Sequence, residues 1–322
     1  MKKNIAIVTG GYSGEAIISM QSADMVMKHL DADKYNSYKV VITKDKWICI
    51  YDGNEYPIDK NNFSCLLGNK KLFFDSVFMA LHGTPGEDGK LQGYFDMLNI
   101  PYTSCGVVVS ALTFNKALTI AVLSHYGIHT AKSIVVNKKN KISADEILTK
   151  ISLPCFVKPN ESGSSIGTSK VKHKEDLISA IEKSFKEGDD TIIEEFIEGT
   201  EITCGVIRYK EKVKALTVSE IVSKGDFFDF HAKYKDNATE EITPARISSS
   251  AEKECKNISE FIYSTLGCKG MIRIDYILKK DKLFLLEVNS IPGLTERSLL
   301  PKQAVYCGIS LKELFNDVIV DF

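Results

Sequence analysis

The sequence predicts an α/β protein of two or three domains whose first domain is built on a parallel sheet. The chain has 322 residues, which is more than one ordinary hydrophobic core organises. Short apolar strands alternate with helical segments over the first hundred residues, a pattern typical of parallel sheets. Near the C-terminus, two apolar runs flank the turn at residues 279–281 and indicate a strand hairpin.

The composition is that of an ordinary globular protein, with 44% hydrophobic and 26% charged residues. A formal net charge of −1 gives no general attraction to nucleic acid or to an anionic membrane. No apolar run reaches membrane-spanning length, and the run at residues 5–8 is too short for a signal peptide. The eight cysteines form no CxxC motif, so we expect buried reduced thiols in a cytoplasmic protein.

A glycine turn follows the first predicted strand, residues 4–9, and precedes a helix from about Ala16 to Leu30. The turn reads G-G-Y-S-G-E from Gly10, and free N–H groups at a helix start favour an anion. It lacks both the dinucleotide fingerprint and the P-loop lysine. Glu15 would repel a phosphate there. It fits either a site for an ammonium group or a first-turn acid favoured by the helix dipole.

A second glycine-rich loop follows the strand predicted at residues 75–81, which comes after another at residues 38–43. The loop reads H-G-T-P-G-E-D-G from His82 and leads into a helix from about Lys90 to Leu98. Open α/β sheets place ligands at such strand ends. His82 is therefore either a cation that faces a ligand or a hydrogen-bonding loop residue.

The polar loop at residues 160–168 is a candidate phosphate-binding element. A helix at residues 115–126 carries Lys116, and a strand ending at Pro159 carries Lys158. The backbone N–H groups of a Gly/Ser loop can fold over phosphates while a strand lysine contacts them from the side. A hairpin turn with a solvated lysine is the alternative.

The next segments predict an edge for adenosine and a long loop. A helix at residues 175–185 precedes a strand at residues 191–197, whose edge can offer backbone groups to an adenine. After a further strand pair, residues 222–244 show no periodicity. A loop of this length is usually a lid or disordered, and its several aromatic side chains favour a lid that packs when closed. An amphipathic helix capped by Ser248 follows, and the last helix begins at about Leu311.

Polar residues interrupt the apolar strands of the C-terminal hairpin. Asp275 lies on the first strand, and Glu287 and Asn289, two apart, share a face of the second. Two carboxylates and an amide oxygen suit Mg²⁺ held together with a nucleotide's phosphates. Arg273, two residues before Asp275, is on the same face, as a cation beside the metal should be. A solvated hairpin face is the alternative, although acids in such apolar runs need a partner.

These motifs together resemble the D-alanine–D-alanine ligases of the ATP-grasp superfamily over essentially the whole chain. In family order they are the two glycine-rich loops, F-V-K-P-N-E-S-G-S-S-I-G at Phe156, E-E-F-I-E-G-T-E at Glu194, F-F-D-F-H-A-K-Y at Phe227, R-I-D-Y at Arg273 and L-E-V-N-S-I-P-G-L-T at Leu286. Several long motifs in one order are far more specific than any one of them.

The resemblance implies an α+β ATP-grasp protein with its active site in the cleft between the last two of three domains. These are an N-terminal substrate domain at residues 1–104, a central subdomain with the Gly/Ser loop at residues 105–193 and a C-terminal subdomain with the lid at residues 194–322. The implied reaction condenses two D-alanines through a D-alanyl phosphate, for peptidoglycan precursors. It implies ATP and two Mg²⁺ ions, which Mn²⁺ can replace, and a cytoplasmic homodimer.

Residue roles follow from the same resemblance. The first D-alanine would contact Glu15 and His82, and Arg273 with the backbone of Gly293 would stabilise the oxyanion. The residues implied to bind ATP are Lys116, Lys158, Ser164, Ser165, Glu194, Glu195, Phe196, Ile197, Glu201, Phe228 and Lys233. The implied metal ligands are Asp275, Glu287 and Asn289. The second substrate would contact Gly293, Ser298 and Leu299, with Lys233 also near the transferred phosphate. Ser164 and Tyr234 would link the lid to Glu15.

The lid departs from the family pattern at Phe230 and His231, where many relatives have tyrosine and an acid. Three alternatives stay open: a ligase that takes D-lactate or D-serine second, another carboxylate–amine ligase of the superfamily, or a nucleotide-binding regulatory protein without catalysis. The two glycine-rich loops count against the second. The intact metal and phosphate residues count against the third.

Overall fold

The computed structural model describes residues 2–140, 142–223 and 239–320, apart from the side chains of residues 223, 239 and 320. Three sheets carry the described chain. The first has seven strands in the order β6-β5-β4-β3-β2-β1-β7. Its parallel part consists of β1 (Lys3–Gly10), β2 (Tyr35–Ile42) and β7 (Ser76–Met79). Helices α1 (Ala16–His29) and α2 (Lys90–Met97) follow β1 and β7, as predicted.

Four antiparallel strands extend the first sheet beyond the predicted parallel part. They are β3 (Trp47–Tyr51), β4 (Asn54–Asp59), β5 (Ser64–Leu67) and β6 (Lys70–Phe73). Sequence reasoning missed them because strands of four to six residues that alternate with exposed polar side chains give a weak apolar signal. The sheet is therefore mixed rather than wholly parallel.

The second sheet has four antiparallel strands in the order β10-β9-β11-β8. These are β8 (Ser133–Asn137), β9 (Cys155–Pro159), β10 (Ser169–Val171) and β11 (Asp190–Glu195). Helices α5 (Ala144–Leu148) and α6 (Leu177–Ser184) cover it, with Ile147, Leu177 and Ile181 in a shared core. The loop between β9 and β10 is the predicted Gly/Ser loop.

The third sheet has five antiparallel strands in the order β14-β13-β12-β15-β16. These are β12 (Thr200–Tyr209), β13 (Lys212–Ser223), β14 (Thr239–Ile242), β15 (Met271–Lys279) and β16 (Lys282–Asn289). Helix α7 (Ser249–Leu266) packs on one face, and its N-cap Ser248 accepts from the N–H of Ala251 as expected. The predicted hairpin is the β15–β16 pair.

Four helices tie the sheets together. α3 (Val107–Phe114) and α4 (Lys116–His125) lie before the second sheet in sequence but pack against the third, where Leu123 joins the core. α8 (Leu299–Tyr306) and α9 (Leu311–Val320) lie between the third sheet and the first. Phe315 of α9 contacts Phe78 of β7, with ring centroids 5.9 Å apart. The domain divisions after residues 104 and 193 stay predictions.

All eight cysteines are free, and all but the half-buried Cys307 are buried. Within the described ranges no single helix is long and apolar enough to cross a membrane. Taken together, α3 and α4 pass on length and composition, but they are bent by 104° at their junction.

Candidate active site

A cavity of about 1150 Å³ opens where the three sheets meet. Every sequence-predicted site residue within the described ranges lines it: Glu15, His82, Lys116, Lys158, Ser164, Ser165, Glu194, Glu195, Phe196, Ile197, Glu201, Arg273, Asp275, Glu287, Asn289, Gly293, Ser298 and Leu299. The remaining predicted residues, Phe228, Lys233 and Tyr234, lie outside the described residues, as do Phe230, His231 and most of the predicted lid.

Glu15 stands at the N-cap position of α1 and is buried at the cavity wall. Its carboxylate accepts a hydrogen bond from Ser164 Oγ at 2.5 Å and a longer one from Ser13 Oγ at 3.4 Å. A Cβ atom on Gly163 would lie 2.6 Å from the same carboxylate, so the Gly/Ser loop packs directly on it. A buried anion that faces a cavity is suited to an ammonium group, which favours the first of the two interpretations left open.

His82 is buried and hydrogen-bonded at both ring nitrogens. Nδ1 lies 2.9 Å from the carbonyl oxygen of Ile291, so it donates there, and Nε2 accepts from Ser22 Oγ at 3.1 Å. The Ser22 hydroxyl in turn accepts from the N–H of Leu294 at 3.2 Å. Burial lowers the pKa of His82, although the charge of Glu15 opposes this. His82 therefore joins α1 to the loop after β16 by hydrogen bonds, and its burial disfavours the charged form.

Two lysines line the cavity, of which Lys116 is buried and Lys158 is half-buried. Lys116 Nζ donates to the carbonyl oxygen of Ser162 at 2.6 Å and lies 3.8 Å from Glu287 Oε2. Lys158 forms an ion pair with Glu194. Burial lowers the pKa of Lys116, whereas at Lys158 the burial effect is outweighed by Glu194, which raises its pKa. Lys116 therefore contacts the Gly/Ser loop directly, and both ammonium groups line the cavity, where they can contact phosphates from the side.

The hairpin brings its polar residues together through its register. Asp275 pairs with Glu287, and Arg273 pairs with Asn289. Asp275 accepts two hydrogen bonds from Arg273, at 2.9 and 2.7 Å, one from Asn289 at 3.1 Å and one from Thr203 at 2.5 Å. All four acceptor positions of this carboxylate are therefore used within the protein.

The hairpin residues carry the kind of donor atoms that a divalent ion such as Mg²⁺ prefers. Two carboxylates and an amide oxygen are hard donors, and Glu287 lines the cavity beside Lys116. Among the described residues no three His, Cys, Asp or Glu side chains are grouped to hold a metal. A metal site at the hairpin would therefore need the amide oxygen of Asn289 beside the carboxylates of Asp275 and Glu287. For Asp275 to bind an ion, one of its four hydrogen bonds would have to break. The bond from Asn289 could break if its amide turned to present its oxygen to the ion.

The opposite end of the cavity lies at the start of α8. Ser298 Oγ accepts from the N–H of Thr295 at 3.1 Å and shares a hydrogen bond of 2.8 Å with the Thr295 hydroxyl. A Cβ on Gly293 would lie 2.8 Å from Ser298 Oγ, so these two predicted residues are neighbours. One turn along α8, Lys302 forms an ion pair of 2.8 Å with Glu241 of β14.

Glu87 and Lys170 are among the cavity-lining residues that sequence reasoning did not select. Glu87 is buried, its Oε2 accepts from the N–H of Gly83 at 2.8 Å, and burial together with Glu15 raises its pKa to about 8. Lys170 of β10 lies over the ring of Phe196, 3.7 Å from its centroid. Glu87 stands in a loop whose sequence indicated a ligand site. No sequence signal distinguishes it from the neighbouring Asp88. In the folded structure Glu87 is buried, whereas Asp88 is half-buried and bonds Thr84 and Lys90.

The chain matches two family models, described as the D-ala D-ala ligase N-terminus over residues 4–105 and the D-ala D-ala ligase C-terminus over residues 118–320. It is 48% identical over 319 residues to a protein of Flavobacterium johnsoniae named D-alanine–D-alanine ligase, covering 98% of each chain. A protein of the same name from Phocaeicola vulgatus is 45% identical over 321 residues, with 99% of each chain covered.

Solved structures of ligases superpose on almost the whole chain. The VanG D-Ala:D-Ser ligase of Enterococcus faecalis superposes with a TM-score of 0.89 at 31% identity, covering 99% of both chains. The D-alanine–D-alanine ligase of Coxiella burnetii gives 0.88 at 28% identity, over 99% of this chain and 93% of that one. The Bacillus anthracis enzyme complexed with ATP gives 0.79 at 29% identity, covering 99% and 97%.

Proposed function

The chain belongs to the D-alanine–D-alanine ligase family, and we propose that its cavity condenses two D-alanine molecules at the expense of one ATP. One observation supports the roles proposed for the residues: three kinds of charged group line the same cavity. Two lysines line it together with a Gly/Ser loop, a carboxylate pair lies on the hairpin, and a buried glutamate faces the same space. Phosphate, metal and ammonium each need one of these.

The nucleotide fits the end of the cavity between the second and third sheets. Lys116 and Lys158 would contact its phosphates, with the loop that holds Ser164 and Ser165 above them. Phe196 with Lys170 offers a face for the adenine. Glu201 would bind the ribose, and the strand end that holds Glu194, Glu195 and Ile197 would complete the edge.

Glu287, Asp275 and Asn289 would hold the two Mg²⁺ ions, or Mn²⁺ in their place. Such ions offset the negative charge that builds up on transferring phosphate oxygens. The chain itself provides the cations Lys116, Lys158 and Arg273 around the same region. Arg273 is held rigidly by its two hydrogen bonds to Asp275, so its remaining N–H groups can point at an oxyanion.

The first step makes the carboxyl group of one D-alanine reactive. Glu15 would hold that molecule's ammonium group, with Ser164 fixing the Glu15 carboxylate. A carboxylate oxygen of the substrate attacks the γ-phosphorus, the bond to the β,γ-bridging oxygen breaks, and ADP leaves. The product is a D-alanyl phosphate. His82, doubly hydrogen-bonded, keeps the loop around Ile291 and Leu294 in position against α1.

The second step forms the peptide bond. The second D-alanine, bound by Gly293, Ser298 and Leu299, attacks the acyl carbon with its neutral amine. A tetrahedral oxyanion forms, which Arg273 and the N–H of Gly293 would stabilise. Collapse of this intermediate breaks the acyl–phosphate bond and releases inorganic phosphate, and the attacking nitrogen gives up a proton. Water must be kept out because it would hydrolyse the acyl phosphate.

Product analysis tests the proposal. The purified protein, ATP and Mg²⁺ are supplied with D-alanine, D-lactate and D-serine together, and the products are separated by mass spectrometry. We expect D-alanyl-D-alanine with one ADP and one phosphate per peptide bond. D-serine is included because a structural neighbour is named as a D-Ala:D-Ser ligase. No phosphate release with D-alanine would overturn the proposal and favour a regulatory nucleotide-binding role.

We also propose a use for the product, a cellular location and an oligomeric state. D-alanyl-D-alanine would serve as a peptidoglycan precursor made in the cytoplasm, and the enzyme would act as a homodimer without a nucleic-acid or membrane partner. We also retain the division into a substrate domain at residues 1–104 and two ATP-grasp subdomains at residues 105–193 and 194–322. Sedimentation and limited proteolysis of the full chain check the dimer and the divisions.

A further inference from the structure

A fully buried amide supports the centre of the third sheet. Gln303 of α8 accepts from the N–H of Gly205 at 2.9 Å and donates to the carbonyl of Thr203 and to Ser219 Oγ, both at 3.0 Å. These bonds occur where the register between β12 and β13 shifts, between Cys204 and Val206. The amide of Gln303 thus supplies hydrogen bonds at an irregularity in the ladder.

Close approach of this amide requires glycine at position 205. A Cβ atom there would lie 2.7 Å from Gln303 Oε1, so any larger residue would push the amide away. With glycine present, Gln303 of α8 holds the backbone of β12 at the N–H of Gly205 and at the carbonyl of Thr203. Thr203 lies two residues before Gly205 on β12, and its own carbonyl is one of the acceptors of Gln303.

Thr203 connects this support to the hairpin. It is fully buried and lies directly across from Asp275 in the β12–β15 ladder. Its hydroxyl donates to Asp275 Oδ1 at 2.5 Å and lies 3.3 Å from the carbonyl of Ile274. The other donors to Asp275, Arg273 and Asn289, line the cavity, whereas Thr203 does not. Thr203 therefore approaches the carboxylate from inside the protein, where nothing that enters the cavity reaches it.

We infer that Thr203, fixed through Gln303, is a positioning residue that orients the Asp275 carboxylate toward the divalent ion. The inference rests on the proposed function, because that function assigns Asp275 to the metal. With an ion bound, the amide of Asn289 could turn its oxygen toward it, while the Thr203 bond would remain and fix which oxygen of Asp275 faces the cavity. Partners of metal ligands typically change metal affinity by about 10- to 100-fold when removed.

The test replaces the hydroxyl without changing the shape. Thr203→Val should raise the Mg²⁺ concentration for half-maximal phosphate release by about tenfold or more. It should weaken Mn²⁺ binding in the presence of ADP by a similar factor, measured by electron paramagnetic resonance without turnover. Thr203→Ser keeps the hydroxyl and should restore both values.

Thr217→Val is the matched control. Thr217 lies on β13 of the same sheet, and its hydroxyl is buried without a hydrogen-bond partner among the described residues. The same substitution there should leave metal dependence and Mn²⁺ binding unchanged. Wild-type Mn²⁺ binding by Thr203→Val, or equal weakening by Thr217→Val, would overturn the inference. If the wild type releases no phosphate with D-alanine, the proposed function fails, but the Mn²⁺ titration still decides the role of Thr203.

Discussion

The hydroxyl of Ser164 donates a hydrogen bond to Oε1 of Glu15 at 2.5 Å, although 149 residues separate the two. Ser164 belongs to the loop of the second sheet, and Glu15 starts the first helix behind the first sheet. The bond therefore joins the element proposed to cover the phosphates to the residue proposed to hold the substrate's ammonium group. A displacement of this loop would therefore remove a hydrogen bond from the Glu15 carboxylate.

Ser164→Gly tests this bond without disturbing the backbone. Ser164 and Ser165 both have positive φ, 51° and 56°, which glycine adopts without strain. Loss of a hydrogen bond to a charged group should raise the KM for the first D-alanine by about tenfold or more. Ser165→Gly makes the same backbone change and should leave that KM unchanged. Equal effects of the two substitutions in steady-state assays would argue against a specific role for the Ser164 hydroxyl.

Gly163→Ala tests how closely the loop must pack on Glu15. The new Cβ would lie within 2.6–2.9 Å of three carboxyl atoms of Glu15, so loop or carboxylate must move. Misplacement by about 1 Å can cost about 100-fold in rate, and we expect kcat/KM to fall by about 10- to 100-fold with little change in unfolding temperature. Gly188→Ala is the control, because nothing lies within 4 Å of its added Cβ. Full activity of Gly163→Ala would mean that the loop need not contact Glu15 during turnover.

Glu287→Gln tests the metal assignment. The change keeps the shape of the side chain that lies across from Asp275 but removes its charge. We expect kcat to fall by at least about 100-fold with the fold intact, as for an electrostatic contact made in the transition state. Glu254→Gln, on the exposed face of α7, should have no effect. Near-normal turnover of Glu287→Gln at ordinary Mg²⁺ would show that the hairpin is not the metal site.

Glu87→Gln tests the buried acid through the pH dependence of stability. Burial and Glu15 raise the folded-state pKa of Glu87 from 4.5 to about 8, so the folded protein holds a proton that the unfolded chain releases. This contribution is fully present below pH 4.5 and is lost as the pH rises through about 8. Relative to wild type, Glu87→Gln should therefore gain stability progressively over this range.

Urea unfolding of both proteins at several pH values between 5 and about 8.5 measures the difference. Glu182→Gln, exposed on α6, should show no such trend. A constant difference between wild type and Glu87→Gln across the range would show that Glu87 is already ionised in the folded protein at the lower pH.

Local sequence patterns predicted much of the fold and most of the cavity wall. Alternation along β15 and β16 was sufficient to place Arg273, Asp275, Glu287 and Asn289 on one face, because side chains two apart in a strand point the same way. Likewise, the two glycine-rich loops and the loop at residues 160–168 lie at strand ends that meet at the cavity. The resemblance to a known family rested on these same segments, since each is contiguous in the chain.

The sequence could not reveal what depends on contacts between distant segments. The strands β3–β6 were missed because each is short and half exposed, and pairing with neighbours stabilises them rather than their own composition. Glu87, Thr203 and Gln303 carried no local signal, since their partners come from burial or from other elements.

By itself the sequence indicated the family through its contiguous motifs. It also predicted the elements around the cavity and the residue types that face it, because periodicity and turn chemistry act over a few neighbouring residues. Only the tertiary structure decided that burial lowers the pKa of His82, that Ser164 bonds Glu15 and that Asp275 is already held by four donors. Protonation and hydrogen bonding depend on desolvation and on which distant groups are brought within about 3 Å, and the folded arrangement of the three sheets sets both.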